Sequence, residues 1–229
     1  KKETIERGTN DKFFVYTCGA TVYDYAHIGN FRTYLVEDLV RRTLRYLNFP
    51  VFQVMNITDV DDKTIQKALE KNITLEEYTD PYTQAFFEDL DILQIQKAEE
   101  YPRATEYIEE MIKMIEKLIL QGSAYIRDGN VFFNIRKFPN YGRLSHLHME
   151  DLKVGASNRV DLDEYSKESI SDFVLWKAYD ETRDGKIFWE SPFGRGRPGW
   201  HIECSAMAHA LLGESIDMHM GGVDNIFPH

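Results

Sequence analysis

The chain holds only two cysteines and seven prolines in 229 residues, and it shows no internal repeat and no low-complexity tract. Cys18 and Cys204 are too few and too far apart for the disulfide framework of a small secreted domain. No run of about 18 apolar residues is present, which excludes a membrane-spanning helix. Residues 1–4, Lys-Lys-Glu-Thr, lack the apolar centre of a secretory signal, so a cytoplasmic protein with no membrane partner is expected. Positive charge is also short: 27 Lys and Arg stand against 38 Asp and Glu, a net charge of -11. That balance argues against a general nucleic-acid-binding surface and leaves room for an RNA held by a local basic patch or by another domain. Residues 225–229, Asn-Ile-Phe-Pro-His, carry neither cap nor polar tail, as in a chain cut within a domain. What is present in quantity is apolar: 43% of residues are hydrophobic, enough for one large core or two smaller ones.

The chain is organised around residues 13–32. Phe13, Phe14, Val15 and Tyr16 suit a short buried strand. Beyond Phe31, the residues Leu35, Val36, Leu39, Val40, Leu44 and Leu47 recur at helical spacing. Cys18, Gly19, Thr21, His27, Gly29 and Asn30 crowd the joint between strand and helix. A helix N-terminus offers unpaired N–H groups to an anion, Gly29 permits close approach, and His27 and Asn30 add donors. Val51, Phe52, Val54, Met55 and Ile57 form a second apolar strand, so the start reads as a parallel strand–helix–strand unit. Ligands in such sheets sit at the carboxyl ends of strands, where Thr58, Asp59, Asp61 and Asp62 fall. These acids read as helix caps and first-turn carboxylates, with a metal site as the alternative.

Downstream, Thr74 and Glu77 form a capping box for a helix that Pro81 should kink or delay. Another helix starts near Thr105 and stops at Gly122. Residues 124–135 read as a hairpin about Asp128-Gly129, and residues 145–171 as a polar surface loop. Residues 173–176 and 186–189 look like a second strand pair. Residues 191–199 read as a Gly/Pro/Arg linker, with Arg195 and Arg197 solvated or touching phosphate. A helix from Gly199 to Gly213 precedes a last short strand, Ile216 to Met220, and the turn Gly221-Gly222-Val223-Asp224. Antiparallel strands after a parallel start suggest a small inserted domain. By spacing alone, Cys18, Cys204 and His229 read more readily as buried or capping residues than as ligands of one zinc.

Read together, the motifs are more specific. Tyr-Thr-Cys-Gly-Ala-Thr-Val-Tyr-Asp (16–24), His-Ile-Gly-Asn (27–30), Asn-Ile-Thr-Asp-Val-Asp-Asp-Lys (56–63), Pro-Gly-Trp-His-Ile-Glu-Cys-Ser-Ala-Met (198–207), Gly-Gly-Val-Asp (221–224) and Phe-Pro-His (227–229) occur in one order. This set resembles the cysteinyl-tRNA synthetases, class I aminoacyl-tRNA synthetases, from near their N-terminus to partway through the catalytic region. The resemblance implies an α/β fold: a Rossmann-like parallel sheet of the nucleotide-binding kind, interrupted by a small α+β connective-peptide insertion. The corresponding division is 1–100 for the first part of the catalytic domain, 101–192 for the insertion, and 193–229 for the second part.

It further implies ATP-dependent activation of L-cysteine to cysteinyl-adenylate, assisted by Mg²⁺, and transfer to tRNA-Cys, by a monomer that meets the tRNA mainly through C-terminal regions. One Zn²⁺ selects the substrate thiolate; its ligands become Cys18, Cys204 and His229, with a Glu expected beyond residue 229. Serine and alanine cannot supply a thiolate, so such a site rejects them without editing. His27, Gly29 and Asn30 match the His-Ile-Gly-His signature that binds ATP phosphates, with Asn in place of the last His. Ala20 replaces a usual Pro. Gly19, Thr21, Thr58 and Trp200 are implied to line the cysteine pocket, and His219, Gly222 and Asp224 to meet adenosine. The family's Lys-Met-Ser-Lys-Ser loop is absent from these 229 residues, so the piece alone is expected to be inactive. Two other readings remain: a zinc-dependent cysteine ligase acting on an amino sugar in mycothiol synthesis, and a non-catalytic zinc- or nucleotide-binding paralogue.

Overall fold

The structure is a computed structural model that describes residues 12–143, 146 and 172–226. The aromatic and β-branched stretch at the start forms β1 (Phe13–Thr17), followed by α1 (Ile28–Tyr46) and β2 (Val51–Met55). β1 and β2 pair in parallel from Phe13 with Val51 to Thr17 with Met55. β7 (Met218–Met220) joins the other side of β1, also in parallel, giving the order β2-β1-β7. This is the α/β, Rossmann-like parallel sheet expected from the sequence.

Between β2 and β7 run α2 (Asp62–Lys71), α3 (Leu75–Ile92), a 3-10 turn at Ala104–Tyr107, α4 (Ile108–Leu120), β3 (Ala124–Arg127), β4 (Asn130–Phe133), β5 (Phe173–Ala178), α5 (Glu181–Asp184), β6 (Gly196–Pro198) and α6 (Trp200–Leu212). β3 to β6 form a separate antiparallel sheet in chain order. The 124–135 hairpin is present, with Asp128 and Gly129 both at positive φ in its turn, as a tight hairpin requires. A single core cluster draws Tyr16 and Val54 from the first sheet, Val131, Leu175 and Trp176 from the second, and Met111, Ile115 and Met207 from the helices between them.

Four sequence expectations change. Residues 186–189 are not a strand; β5 takes β6 as its neighbour, and Trp189 makes only an isolated bridge to Gly196. β6 lies inside the stretch read as a linker, and its pairing places it in the antiparallel sheet although it falls within residues 193–229. Pro at the end of a short edge strand needs no ladder N–H, which explains why the Gly-Arg-Pro run hid a strand. Pro81 neither delays nor ends α3, which runs through it and buries Tyr78, Thr79, Phe86 and Leu90; packing outweighs the missing N–H.

The fourth change concerns α1. Leu35, Val36, Leu39 and Leu47 lie exposed, whereas Phe31, Tyr34, Glu37, Asp38, Arg41 and Leu44 are buried. The buried polar groups have work there: Arg41 donates to the Gln96 and Lys97 carbonyls and to Glu99, and Asp38 accepts from the Gln96 N–H. Hydrogen bonding to the 94–99 segment selects the face that hydrophobicity alone would leave outside. The polar loop expected over residues 145–171 lies outside the described residues, apart from His146.

Candidate active site at the carboxyl edge of the parallel sheet

The strands deliver the first residues of the site. Past β1, the chain keeps pairing on both sides: Cys18 N–H donates to the Met220 carbonyl, and Thr21 bridges Thr58 in parallel. A Cβ on Gly19 would stand 1.9 Å from the Asn56 carbonyl, so only glycine permits this approach. Asn56 accepts from the Gly19 N–H at 3.2 Å and donates to Thr58 Oγ1 at 3.1 Å. Its side-chain Oδ1 also accepts from Cys204 Sγ at 3.7 Å. Asn56 thus holds three of the expected residues in register, a role that composition and spacing gave no means of reading.

From the other side comes α6, which opens at Trp200 and carries Cys204 on its buried face. Cys18 and Cys204, 186 positions apart, end with their sulfurs 3.9 Å from each other, and both are buried and outside any disulfide. Two thiolates on one tetrahedral zinc, each about 2.3 Å from it, stand about 3.8 Å apart. The pair therefore fits two corners of such a site. Among the described residues no group of three or more His, Cys, Asp or Glu side chains is arranged to hold a metal ion, and His229 lies outside them. His219, expected at adenosine, sets its Nε2 3.4 Å from Cys18 Sγ. The β1–β7 register explains this: His219 pairs with Tyr16, and their rings meet edge to face at 5.4 Å.

Burial raises the Tyr16 phenol well above its usual range, with the Cys204 sulfur adding to it. Glu203 is pushed well up by burial, then by Cys204, Asp61 and Asp59, and its Oε2 has no hydrogen-bond partner.

At the mouth, His27 caps α1. Its Nδ1 accepts from the Gly29 and Asn30 N–H groups at 3.1 and 3.3 Å, while its own N–H donates to Asn30 Oδ1 at 3.0 Å. This is a reciprocal capping box, in which Asn serves where Glu or Gln is usual. Two consequences follow. The first helix amides are engaged by the imidazole rather than open to an anion, as the sequence had suggested. With Nδ1 accepting, the ring proton sits on Nε2, so the donors His27 and Asn30 retain are Nε2–H and the Asn30 amide NH₂.

A cavity of about 200 Å³ joins these pieces, lined by Cys18, Gly19, Thr21, His27, Asn30, Thr58, Trp200, Cys204 and Gly222 among others. It is smaller than the roughly 300–1,000 Å³ of sites that enclose drug-sized ligands, and His27 and Asn30 at its rim are exposed. It encloses a small head group and leaves a larger ligand at the surface. Gly29 lies beside it as part of the cap. The side chain of Asp224 and all of His229 lie outside what is described. Of the three acids after β2, Asp61 caps α2 and accepts from the Lys63 N–H. Asp59 accepts from Thr105 and Arg103. Asp62 pairs with Lys177 and Arg197. Capping and ion pairing account for all three. Arg197, read as solvated or touching phosphate, is 2% exposed.

Comparison with known proteins agrees in fold first. Mycobacterium tuberculosis methionyl-tRNA synthetase in complex with methionyl-adenylate superposes with a TM-score of 0.63 over 94% of this chain and 52% of that one, at 14% identity. At that identity the likeness is one of fold. The chain belongs to the family described as "tRNA synthetases class I (C) catalytic domain", which matches residues 4–229. The cysteine–tRNA ligase of Protochlamydia amoebophila (strain UWE25) is 64% identical over 100% of this chain and 48% of its own length. Those of Chlamydia muridarum and Chlamydia felis are 62% and 64% identical, over 96% and 94% of this chain and 46% and 45% of their own lengths. The chain thus spans about half the length of the curated relatives it matches. Among the described residues, no helix is long and apolar enough to cross a membrane.

Proposed function

We propose that the chain supplies the amino-acid pocket and part of the ATP site of a cysteine–tRNA ligase. The observation that carries this is the Cys18–Cys204 pair, 3.9 Å apart at the floor of a cavity whose rim is the His27 cap. In this reading Cys18, Cys204 and His229 hold the Zn²⁺ that the family implies. When bound there, zinc supplies a soft Lewis acid that takes a thiolate and has no comparable affinity for a hydroxyl or methyl group.

The chain's own residues do the rest. Thr58, Thr21 and Trp200 wall the L-cysteine side chain, and the Gly19 backbone brings Cys18 to it. His27 Nε2–H and the Asn30 amide donate to phosphate oxygens of ATP, accompanied by Mg²⁺, as the cysteine carboxylate attacks the α-phosphorus in line and pyrophosphate leaves. Gly29 keeps the helix start clear for them. His219, Gly222 and Asp224 flank the adenosine, with His219 at the border to the thiol pair. Positioning and charge stabilisation carry the rate, because no protein nucleophile is needed. The cysteinyl group then passes to tRNA-Cys. The division into residues 1–100, 101–192 and 193–229, a cytoplasmic location and a monomeric state belong to the same proposal.

Cysteine-dependent ATP–pyrophosphate exchange on the full-length protein, with zinc measured in the same sample, tests it. Exchange with cysteine and not serine, at about one zinc per chain, is the expected result. Full zinc loading without exchange would leave the non-catalytic paralogue, and exchange without transfer to tRNA-Cys would favour the amino-sugar ligase.

A further inference from the structure

The two walls of the cavity are joined behind it by buried charge. Thr58 stands on one wall, four positions before Asp62; Trp200 and Cys204 stand on the other, three and seven positions after Arg197. Arg197 donates through Nη2 to Asp62 Oδ1 and through Nε to Asp184 Oδ1, the latter at 3.0 Å. Lys177 Nζ donates to Asp62 Oδ2 at 2.7 Å. Arg183 closes the chain from behind with bonds of 2.8 and 2.7 Å to Asp184. Burial alone would raise the Asp184 carboxyl, but Arg183, the Asp180 N–H and Arg197 hold it below the usual carboxylate range.

Lys177 and Arg197 lie directly opposite each other on β5 and β6. Like charges so placed repel across a sheet, and here both reach to the one carboxylate of Asp62. The link from Arg197 to Trp200 has little slack. Pro198 fixes its own φ, Gly199 N–H donates to the Leu175 carbonyl at 2.8 Å, and a Cβ on Gly199 would meet the Val174 carbonyl at 2.2 Å. Buried ion networks add little net stability over apolar filling; what this one supplies is a fixed register between α2 and the β6–α6 joint.

We propose that Arg197 is a positioning residue for the amino-acid pocket: clamped between Asp62 and Asp184, it sets the helix start bearing Trp200 and Cys204 against the turn bearing Thr58. The assignment rests on reading the cavity as that pocket.

The test compares Arg197→Met, Arg197→Lys and Asp184→Asn in the full-length protein by cysteine-dependent ATP–pyrophosphate exchange. Arg197→Met should raise the KM for cysteine by roughly 10-fold or more, with the KM for ATP within about 2-fold, because small misplacements at a pocket are costly. Arg197→Lys should recover part of the loss, and Asp184→Asn should move in the same direction by less. An unchanged cysteine KM, or equal rises for both substrates, overturns the assignment. If Arg197→Met does not fold, an unchanged cysteine KM in the other two variants does so. Should the unmutated protein show no cysteine-dependent exchange, the functional reading fails separately. Amide hydrogen exchange on the full-length protein then decides: joint acceleration over residues 58–63 and 199–205 in Arg197→Lys supports the brace, and unchanged rates there overturn it.

Discussion

The two sheets treat buried charge in different ways. At the antiparallel sheet, Lys177, Asp184 and Arg197 are buried, Asp62 is half-buried, and every one has a charged partner. At the carboxyl edge of the parallel sheet, Glu203 Oε2 is buried with no hydrogen-bond partner among the described residues, and the Cys18 and Cys204 sulfurs lie 3.9 Å apart. A buried carboxyl oxygen left so is costly unless what binds there completes it.

The contrast is broken most strongly at the thiols. Cys204→Ser should reduce bound zinc from about one per chain to none and lower cysteine-dependent exchange by on the order of 10³-fold or more, since one corner of the tetrahedron is lost. Metal analysis beside the exchange assay reads both. Retained zinc at full activity would remove the thiol pair from the site.

Glu37 sharpens the comparison from the scaffold side, where it is one of several buried polar groups left unpaired among the described residues. It is 2% exposed, neither carboxylate oxygen has a partner, and burial pushes its carboxyl up to about 8. The folded protein therefore keeps a proton that the unfolded chain releases above about pH 4.5. Stability should fall as pH rises from about 5 to 8, by up to about 1.4 kcal/mol per unit. Glu37→Gln should flatten that slope and stabilise the protein at pH 8. Urea unfolding at pH 5.5 and pH 8 checks it, and equal slopes in both proteins would refute it.

Gly19→Ala sits between site and scaffold. The added methyl cannot occupy the space held by the Asn56 carbonyl, so the strands must part at a cost of about 1–3 kcal/mol. Zinc affinity should fall with stability, because Cys18 moves with the strand; calorimetric melting and a zinc titration measure the two together. The smallest effect belongs to Thr74→Ala. It removes an exposed cap of α3, in which Thr74 Oγ1 accepts from the Glu77 N–H at 3.1 Å. A loss of about 1 kcal/mol with unchanged KM for cysteine is expected. A shifted KM would show that the scaffold is not separable from the site.

Legibility followed the same division. β1, α1 and β2 were readable because local aromatic and apolar patterns specify them, and the thiols, Thr58 and Trp200 emerged from motifs occurring in one order. Arg197 was misread because its partners, Asp62 and Asp184, lie 135 and 13 positions away, and no local pattern marks a long-range ion pair. The buried face of α1 was illegible for a related reason: Asp38 and Arg41 are drawn inward by carbonyls and amides of residues 96–99. The first amides of α1 looked open because the His27 cap depends on a ring orientation that sequence does not encode. The nearness of His219 to Cys18 follows from the β1–β7 register, which is set across some 200 positions.

That separation also orders the assembly of the molecule in time. The β3–β4 hairpin closes over a two-residue turn, and β1 meets β2 across a single helix. The Cys18–Cys204 approach and the β1–β7 pairing must instead close loops spanning most of the chain. Chain entropy makes such contacts slow to form. Amides of β7 should therefore gain protection after those of β3 and β4 in a refolding experiment. The pocket is then the last part built, and a newly made chain spends the longest with its two thiols apart and open to oxidants before the sheet shuts over them.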